Sequence, residues 1–238
     1  FLLLAAVAMG AAVVELGGAL RTADITLPTP PLVLGVVGVI AAGWYLGAGG
    51  VAVGLALSAL LVLLWRALWG PRGFVADITA GVFTVGYLLM AGGFATLLVA
   101  AEDGPFRILA WLLLVVASDV GGYAAGVVAG RHPMAPSISP KKSWEGFAGS
   151  VTATSVLGVV VVVLGLSGPW WAGLVLGVSM AVAATVGDLA ESLLKRDIGV
   201  KDMGSLLPGH GGVMDRLDSI ALSAPVAWLV LTALVPVS

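Results

Sequence analysis

The sequence predicts an all-α, polytopic integral membrane protein with about eight transmembrane helices, and three observations carry that prediction. Of the 238 residues, 60% are apolar and only 10% charged, against about 25% charged in an ordinary soluble domain. Apolar runs of about 20 residues recur along most of the length, enough at 1.5 Å rise per residue to cross a hydrocarbon core of roughly 30 Å. The basic residues, finally, collect in alternate loops, on one side of those runs. A chain this apolar cannot keep its surface in water. The absence of cysteine excludes disulfides, thiolate chemistry and zinc–thiolate sites.

Polar and Pro/Gly clusters set the breaks between spans. Residues 1–20 form the first, interrupted only by Glu15. Spans two and three, 31–47 and 50–67, are joined so tightly between Gly47 and Gly50 that they must form a helical hairpin. The fourth, fifth and sixth follow at 77–100, 106–130 and 144–166. The seventh, 170–196, carries the acidic and basic residues that open the polar segment 197–212, and the eighth is 213–235. No soluble domain fits between any pair. The first half, 1–105, reads as N-terminal transmembrane helices, and 106–238 as a C-terminal catalytic region with its motif at 188–219. Because Phe1 opens inside an apolar run without an initiator Met, at least one further span is expected upstream.

Alternate loops of a multispanning protein lie on opposite sides of the membrane. Arg21, Arg66, Arg72, Arg131, Lys141, Lys142, Lys195, Arg196, Lys201 and Arg216 fall on one side and Arg107 alone on the other. Basic residues accumulate in cytoplasmic loops, so segments 131–143 and 197–212 are expected on the cytoplasmic face. Gly122, Gly126 and Gly130 are spaced for close helix packing in lipid.

Charge is concentrated. Between Asp119 and Asp218 lie eight of thirteen acidic and seven of eleven basic residues, in under half the chain. Ionisable groups near membrane depth are costly and face partners or water-filled cavities, so the concentration marks a site. On a helix Asp188, Ser192 and Lys195 fall at i, i+4 and i+7 and share a stripe, with Glu191 close by. Arg196 follows, and then a polar loop carries Lys201, Asp202 and His210 among Pro208, Gly209, Gly211 and Gly212. Glycines there let backbone N–H groups approach an anion, and the next helix presents its N-terminus to it. That helix brings Asp215, Arg216 and Asp218. Carboxylates from two helices, Asp188 and Asp215, flanked by Lys and Arg, suit a nucleoside triphosphate with a hard divalent cation. Asp197 and Asp202 fit a solvated loop equally well, and His210 a turn.

A second cluster lies upstream. Asp119 and Tyr123 are i, i+4 neighbours in the fifth span, and Lys141 and Lys142 precede the interfacial Trp144. The two lysines suit a lipid phosphate at headgroup level, and equally an orientation signal. Glu15 pairs either with this site or with another helix, and the sequence does not choose.

With these residues in place, the chain resembles the phosphatidate cytidylyltransferases, also called CDP-diglyceride synthases. Their C-terminal signature, S-x-x-K-R-x4-K-D-x-G-x3-P-G-H-G-G-x-x-D-R-x-D, is filled in register from Ser192 to Asp218. The run Ile138-Ser-Pro-Lys-Lys-Ser-Trp-Glu-Gly146 also looks like a family segment, so the resemblance covers residues 118–219. One departure is Val127, after Gly126, where the family often has a basic residue.

The resemblance implies an inner-membrane, bacterial enzyme with its active site facing the cytoplasm. It would transfer a cytidylyl group from CTP to phosphatidic acid, releasing pyrophosphate in phospholipid biosynthesis. It implies Mg²⁺, with or without a second cation, on Asp188 and Asp215, with Lys195 and Arg196 catalytic. Ser192, Lys201, Asp202, His210, Gly211, Gly212, Arg216, Asp218, Asp119, Tyr123, Lys141 and Lys142 would bind substrate. The partners are CTP, phosphatidic acid and the bilayer, without nucleic acid, and a homodimer stays open. A CTP-dependent lipid kinase is the nearest alternative, and an ion-coupled transporter a more distant one. The CDP-alcohol phosphotransferase pattern D-G-x2-A-R is absent.

Overall fold

A computed structural model describes residues 1–206 and 211–235. Its helices are α1 (Leu2–Leu20), α2 (Thr29–Ala67), α3 (Phe74–Thr84), α4 (Met90–Val99), α5 (Gly104–Ala129), α6 (Trp144–Val160), α7 (Trp170–Asp197) and α8 (Met214–Leu234). A π-helical turn, Val85–Leu89, joins α3 to α4 into one crossing, and another, Val161–Gly165, extends α6. Seven stretches among the described residues are long and apolar enough to span a membrane. The 39-residue α2 is two limbs, because Gly47 leaves helical geometry at φ 64°, ψ −150°. A side chain rarely adopts that φ, whereas Gly does so freely.

The limbs of α2 fold back on each other. A Cβ at Gly35 would lie 2.7 Å from Ser58 Oγ, one at Gly54 would lie 3.2 Å from Val39, and one at Gly43 would lie 2.9 Å from Val51. That pairing, falling in one direction and rising in the other, is an antiparallel hairpin, so the seven membrane-length helices among the described residues, against the eight expected, include one made of two limbs. Pro30 and Pro31 open the first limb, where the missing N–H costs nothing.

The chain divides into two compact units, each discontinuous in sequence: residues 1–97 with 194–217, and residues 98–193 with 218–238. In the first unit α1 packs on α2 where Gly17 admits Thr29 and Leu27. Leu16, Leu32, Leu88 and Leu89 fill its interior. Arg66 and Asp77 form a buried ion pair at 2.6 Å.

In the second unit the helices meet through glycine. Gly121 and Gly122 of α5 lie against Gly149, Ser150 and Ala153 of α6. Gly158 of α6 packs on the Gly173 carbonyl of α7, and Gly187 of α7 on the Asp218 carbonyl. In each case an added Cβ would come within 3.0 Å of a neighbour, so close backbone approach explains the small residues. Trp111 Nε1 donates to Ser223 Oγ at 2.9 Å. Arg107, the one basic residue placed on the far side, is buried, paired with Asp103 at 2.5 Å, and donates to the Val235 carbonyl at 2.8 Å. Its charge is thus consumed inside the protein.

The segment after α5, read from sequence as a plain loop, contains a short antiparallel hairpin of β1 (Pro133–Ala135) and β2 (Ser139–Ser143). Ser143 ends it and caps α6, accepting from Gly146 N at 3.1 Å. Glu145, in the first turn of α6, accepts from the Arg131 and His132 amides at 3.1 and 3.2 Å and bonds His132 Nδ1 at 2.5 Å. These bonds fix both ends of the hairpin that carries Lys141 and Lys142.

Candidate active site

In the second unit a cavity of about 340 Å³ gathers Asp119 and Tyr123 from α5, Lys141 and Lys142 from β2, and Asp188 from α7. All five were chosen from sequence. Ser118, Ser143, Ser150 and Ser219 line it as well; Ser143 was read only as part of the 138–146 segment, and the other three had no role from sequence because isolated serines in apolar helices carry no distinguishing spacing. Gly122, Gly126 and Gly146 also line it. Their packing role therefore brings α5 close to α6 at the cavity wall.

The charges inside are matched. Lys142 Nζ stands 2.6 Å from Asp188 Oδ2, both side chains partly exposed. Ser192, one turn along α7, donates to Asp188 Oδ1 at 3.4 Å. Ser150 Oγ donates to the Ser118 carbonyl at 2.7 Å. Asp218, at the start of this unit's share of α8, accepts from the Ser219 amide at 2.6 Å.

The first unit holds the signature loop. Asp215, in the first turn of α8, is its organiser. Its Oδ1 pairs with Lys195 Nζ at 3.0 Å, and its Oδ2 accepts from Met203 N at 3.0 Å and Gly212 N at 2.9 Å. Gly211 turns there with φ +81°, and an added Cβ would lie 3.4 Å from Asp215 Oδ2. Arg196, Lys201, Asp202 and Arg216 are exposed around the loop. His210, with Leu207, Pro208 and Gly209, lies outside the described residues. Glu15, unassigned from sequence, is 7% exposed and bonds this same loop.

A larger cavity in the first unit, about 830 Å³, is walled by Arg21, Asp24, Trp65, Arg66, Trp69, Arg72 and Asp77 among others. Size does not make it the chemical one. Its buried charges, Arg66 and Asp77, satisfy each other, and it contains none of the residues of either motif.

Membrane-length helices bearing carboxylates and lysines define the chain as a polytopic helical membrane protein with a polar site. A sequence profile described as the cytidylyltransferase family matches residues 1–234. The phosphatidate cytidylyltransferase of Mycobacterium bovis is 40% identical over 228 residues, 90% of this chain and 74% of that protein. That of Mycobacterium leprae is 40% identical over 231 residues, with the same two shares. The Helicobacter pylori protein of that name is 45% identical over 133 residues, 56% of this chain and 50% of its own length. The chain belongs to the cytidylyltransferase family and is a nucleotidyltransferase.

The Lys142–Asp188 pair sets a first expectation. Lys142→Gln removes a charge-assisted bond of about 1.5–3 kcal/mol, so initial rates in reconstituted vesicles should fall about tenfold or more, and Lys142→Arg should keep most of the activity. Equal rates for Lys142→Gln and wild type would remove Lys142 from the site.

Proposed function

We propose that this protein is a phosphatidate cytidylyltransferase, joining CTP and phosphatidic acid into CDP-diacylglycerol and pyrophosphate. The observation that carries the reading is the cavity in which Asp119 and Asp188 stand beside Lys141 and Lys142, in a chain that also bears the family signature. A phosphate oxygen of phosphatidate attacks the α-phosphorus of CTP. The new P–O bond forms as the bond to the β-phosphate oxygen breaks, and pyrophosphate leaves. Phosphatidate is already an anion, so no strong base is needed.

The residues fit Mg²⁺. Each is a hard oxygen donor: Asp188, in the second unit, accepts from Ser192 and pairs with Lys142, and Asp215, in the first, pairs with Lys195. Among the described residues no three acidic or histidine side chains form a dedicated metal cage. Mg²⁺ suits that, since it commonly keeps water and takes its other ligands from one or two carboxylates and from substrate phosphates. When bound on Asp188 and Asp215 it supplies charge neutralisation for the transferring phosphoryl group. The chain's own residues do the rest. Lys195, Arg196, Lys201 and Arg216 grip phosphates, with Ser192, Asp202, His210, Gly211, Gly212 and Asp218 completing the nucleotide site. Asp119 and Tyr123 shape the acceptor pocket, and Lys141 and Lys142 hold the lipid phosphate.

The distribution of basic residues supports a site facing the cytoplasm, and the bacterial relatives support the inner membrane. A homodimer belongs to the same reading, since Gly10, Gly38 and Gly86 meet nothing within 4 Å and leave small-residue surface on the first unit's helices.

The test is reconstitution with α-labelled CTP, phosphatidic acid and Mg²⁺. Label should enter the lipid phase only when phosphatidic acid is present, with pyrophosphate released. Label remaining in water-soluble CDP beside a newly phosphorylated lipid would identify a kinase instead.

A further inference from the structure

We propose that Glu15 is the positioning residue of the signature loop: a carboxylate on α1 that fixes the loop and the start of α8 in the geometry that receives the nucleotide. The inference rests on the reading that this loop takes the CTP phosphates.

The first α1 helix is otherwise apolar, and a carboxylate buried within it is expensive unless hydrogen bonds satisfy it. Glu15 is 7% exposed. Its partners among the described residues are backbone amides 191 and 199 residues away. Oε1 accepts from Leu206 N at 3.2 Å and Oε2 from Met214 N at 2.9 Å. Met214 is the first residue of α8, whose opening N–H groups have no partner within the helix. Glu15 therefore satisfies one of those amides and places negative charge at a helix N-terminus, where the helix dipole favours it.

Two signature glycines exist for this contact. A Cβ at Gly204 would lie 2.2 Å from the Glu15 carboxyl carbon, and one at Gly212 would lie 2.5 Å from Oε2. Contacts that short force something to move, and the atoms met are the end of the flexible Glu15 side chain, so a side chain at either glycine displaces the carboxylate from the loop. Asp215 holds the same loop through the alternate amides of Met203 and Gly212. Met203, Leu206, Gly212 and Met214 are thus held by two carboxylates, one from α1 and one from α8. Glu15 is 7% exposed and both its oxygens accept from backbone amides of the loop and of α8, so its part is to position them.

A glutamine cannot replace it. Its amide keeps one acceptor and turns an N–H₂ toward an N–H donor, whereas aspartate keeps both acceptors on a stem one carbon shorter. The experiment compares wild type, Glu15→Gln, Glu15→Asp and Gly212→Ala, as full chains in nanodiscs, by hydrogen exchange and by steady-state kinetics.

In Glu15→Gln, exchange across 203–216 should quicken about tenfold while α2 to α4 keep their protection. The KM for CTP should rise about tenfold, more than kcat falls, with the KM for phosphatidic acid unchanged. Glu15→Asp should recover part of both changes. Gly212→Ala, which leaves Glu15 itself intact, should reproduce the glutamine variant. Unchanged exchange across the loop in both Glu15→Gln and Gly212→Ala overturns the proposal. Faster exchange with an unaltered CTP KM upholds the anchor and overturns the assignment of the loop to nucleotide.

Discussion

Replacing Asp188 by Asn is expected to cut cytidylyl transfer by about a thousandfold, or about 4 kcal/mol of transition-state stabilisation, with the fold intact. The substitution keeps volume and removes charge. In the cavity Asp188 bonds Ser192 through one oxygen and Lys142 through the other, and Asn preserves an acceptor for only one of them. It cannot hold a cation. Asp215→Asn should lose activity to a similar degree for a compound reason, because its two oxygens also receive Met203 N and Gly212 N. An amide group there turns N–H toward N–H. The two variants are therefore separable: in Asp188→Asn hydrogen exchange across 203–212 should match wild type, and in Asp215→Asn it should quicken. Full turnover by Asp188→Asn at saturating Mg²⁺ would sink the metal assignment.

Much of the fold was legible because lipid imposes one rule on sequence and the chain obeys it. Runs of Leu, Val, Ala and Gly long enough to cross can only be helices, since backbone groups must pair within the segment. The break at Gly47 was legible too, because two spans with two residues between them have to reverse direction. The π-helical turns at Val85–Leu89 and Val161–Gly165 were not. They alter the hydrogen-bond register without altering hydropathy. The β1–β2 hairpin escaped because Pro- and Ser-rich sequence at a membrane surface has no period-2 pattern to announce a strand.

The site divides the same way. Asp119, Lys142 and Asp188 stood out because charge is conspicuous in apolar surroundings, and they line one cavity. The glycines of α5 stood out only as packing, which they are, and the cavity they help wall is a consequence of the close approach they allow. Glu15 was equally conspicuous and still could not be assigned. Its partners are amide groups, which every residue has, so no pattern in the sequence marks them. Gly204 and Gly212 were legible as part of a signature, while the carboxylate that requires them lies on another helix at the far end of the chain.

Asp77→Ala is expected to destabilise the first unit by about 3–5 kcal/mol, the usual cost of leaving one member of a buried ion pair unpaired. The pair is a four-way tie. Arg66 Nε bonds Asp77 Oδ2 at 2.6 Å, its Nη1 donates to the Gly70 carbonyl at 2.8 Å, and its Nη2 donates to the Arg72 carbonyl. Asp77 Oδ1 accepts from Thr26 N at 2.7 Å. The end of α2, the turn at 68–73, the start of α3 and the segment before α2 are thereby joined at one point. Phe74 lies under the guanidinium, its ring centroid 5.7 Å away. Removing the carboxylate leaves a buried cation beside two carbonyls and strips Thr26 N of its acceptor. Removing both partners, in Arg66→Met with Asp77→Ala, withdraws the stranded charge, so the double variant should be more stable than the sum of the two single losses predicts. Thermal unfolding in detergent, followed through tryptophan emission, measures this cycle. A coupling of about 2 kcal/mol or more fits a buried, mutually dependent pair, whereas strictly additive losses would mean that each side chain is held by the backbone alone.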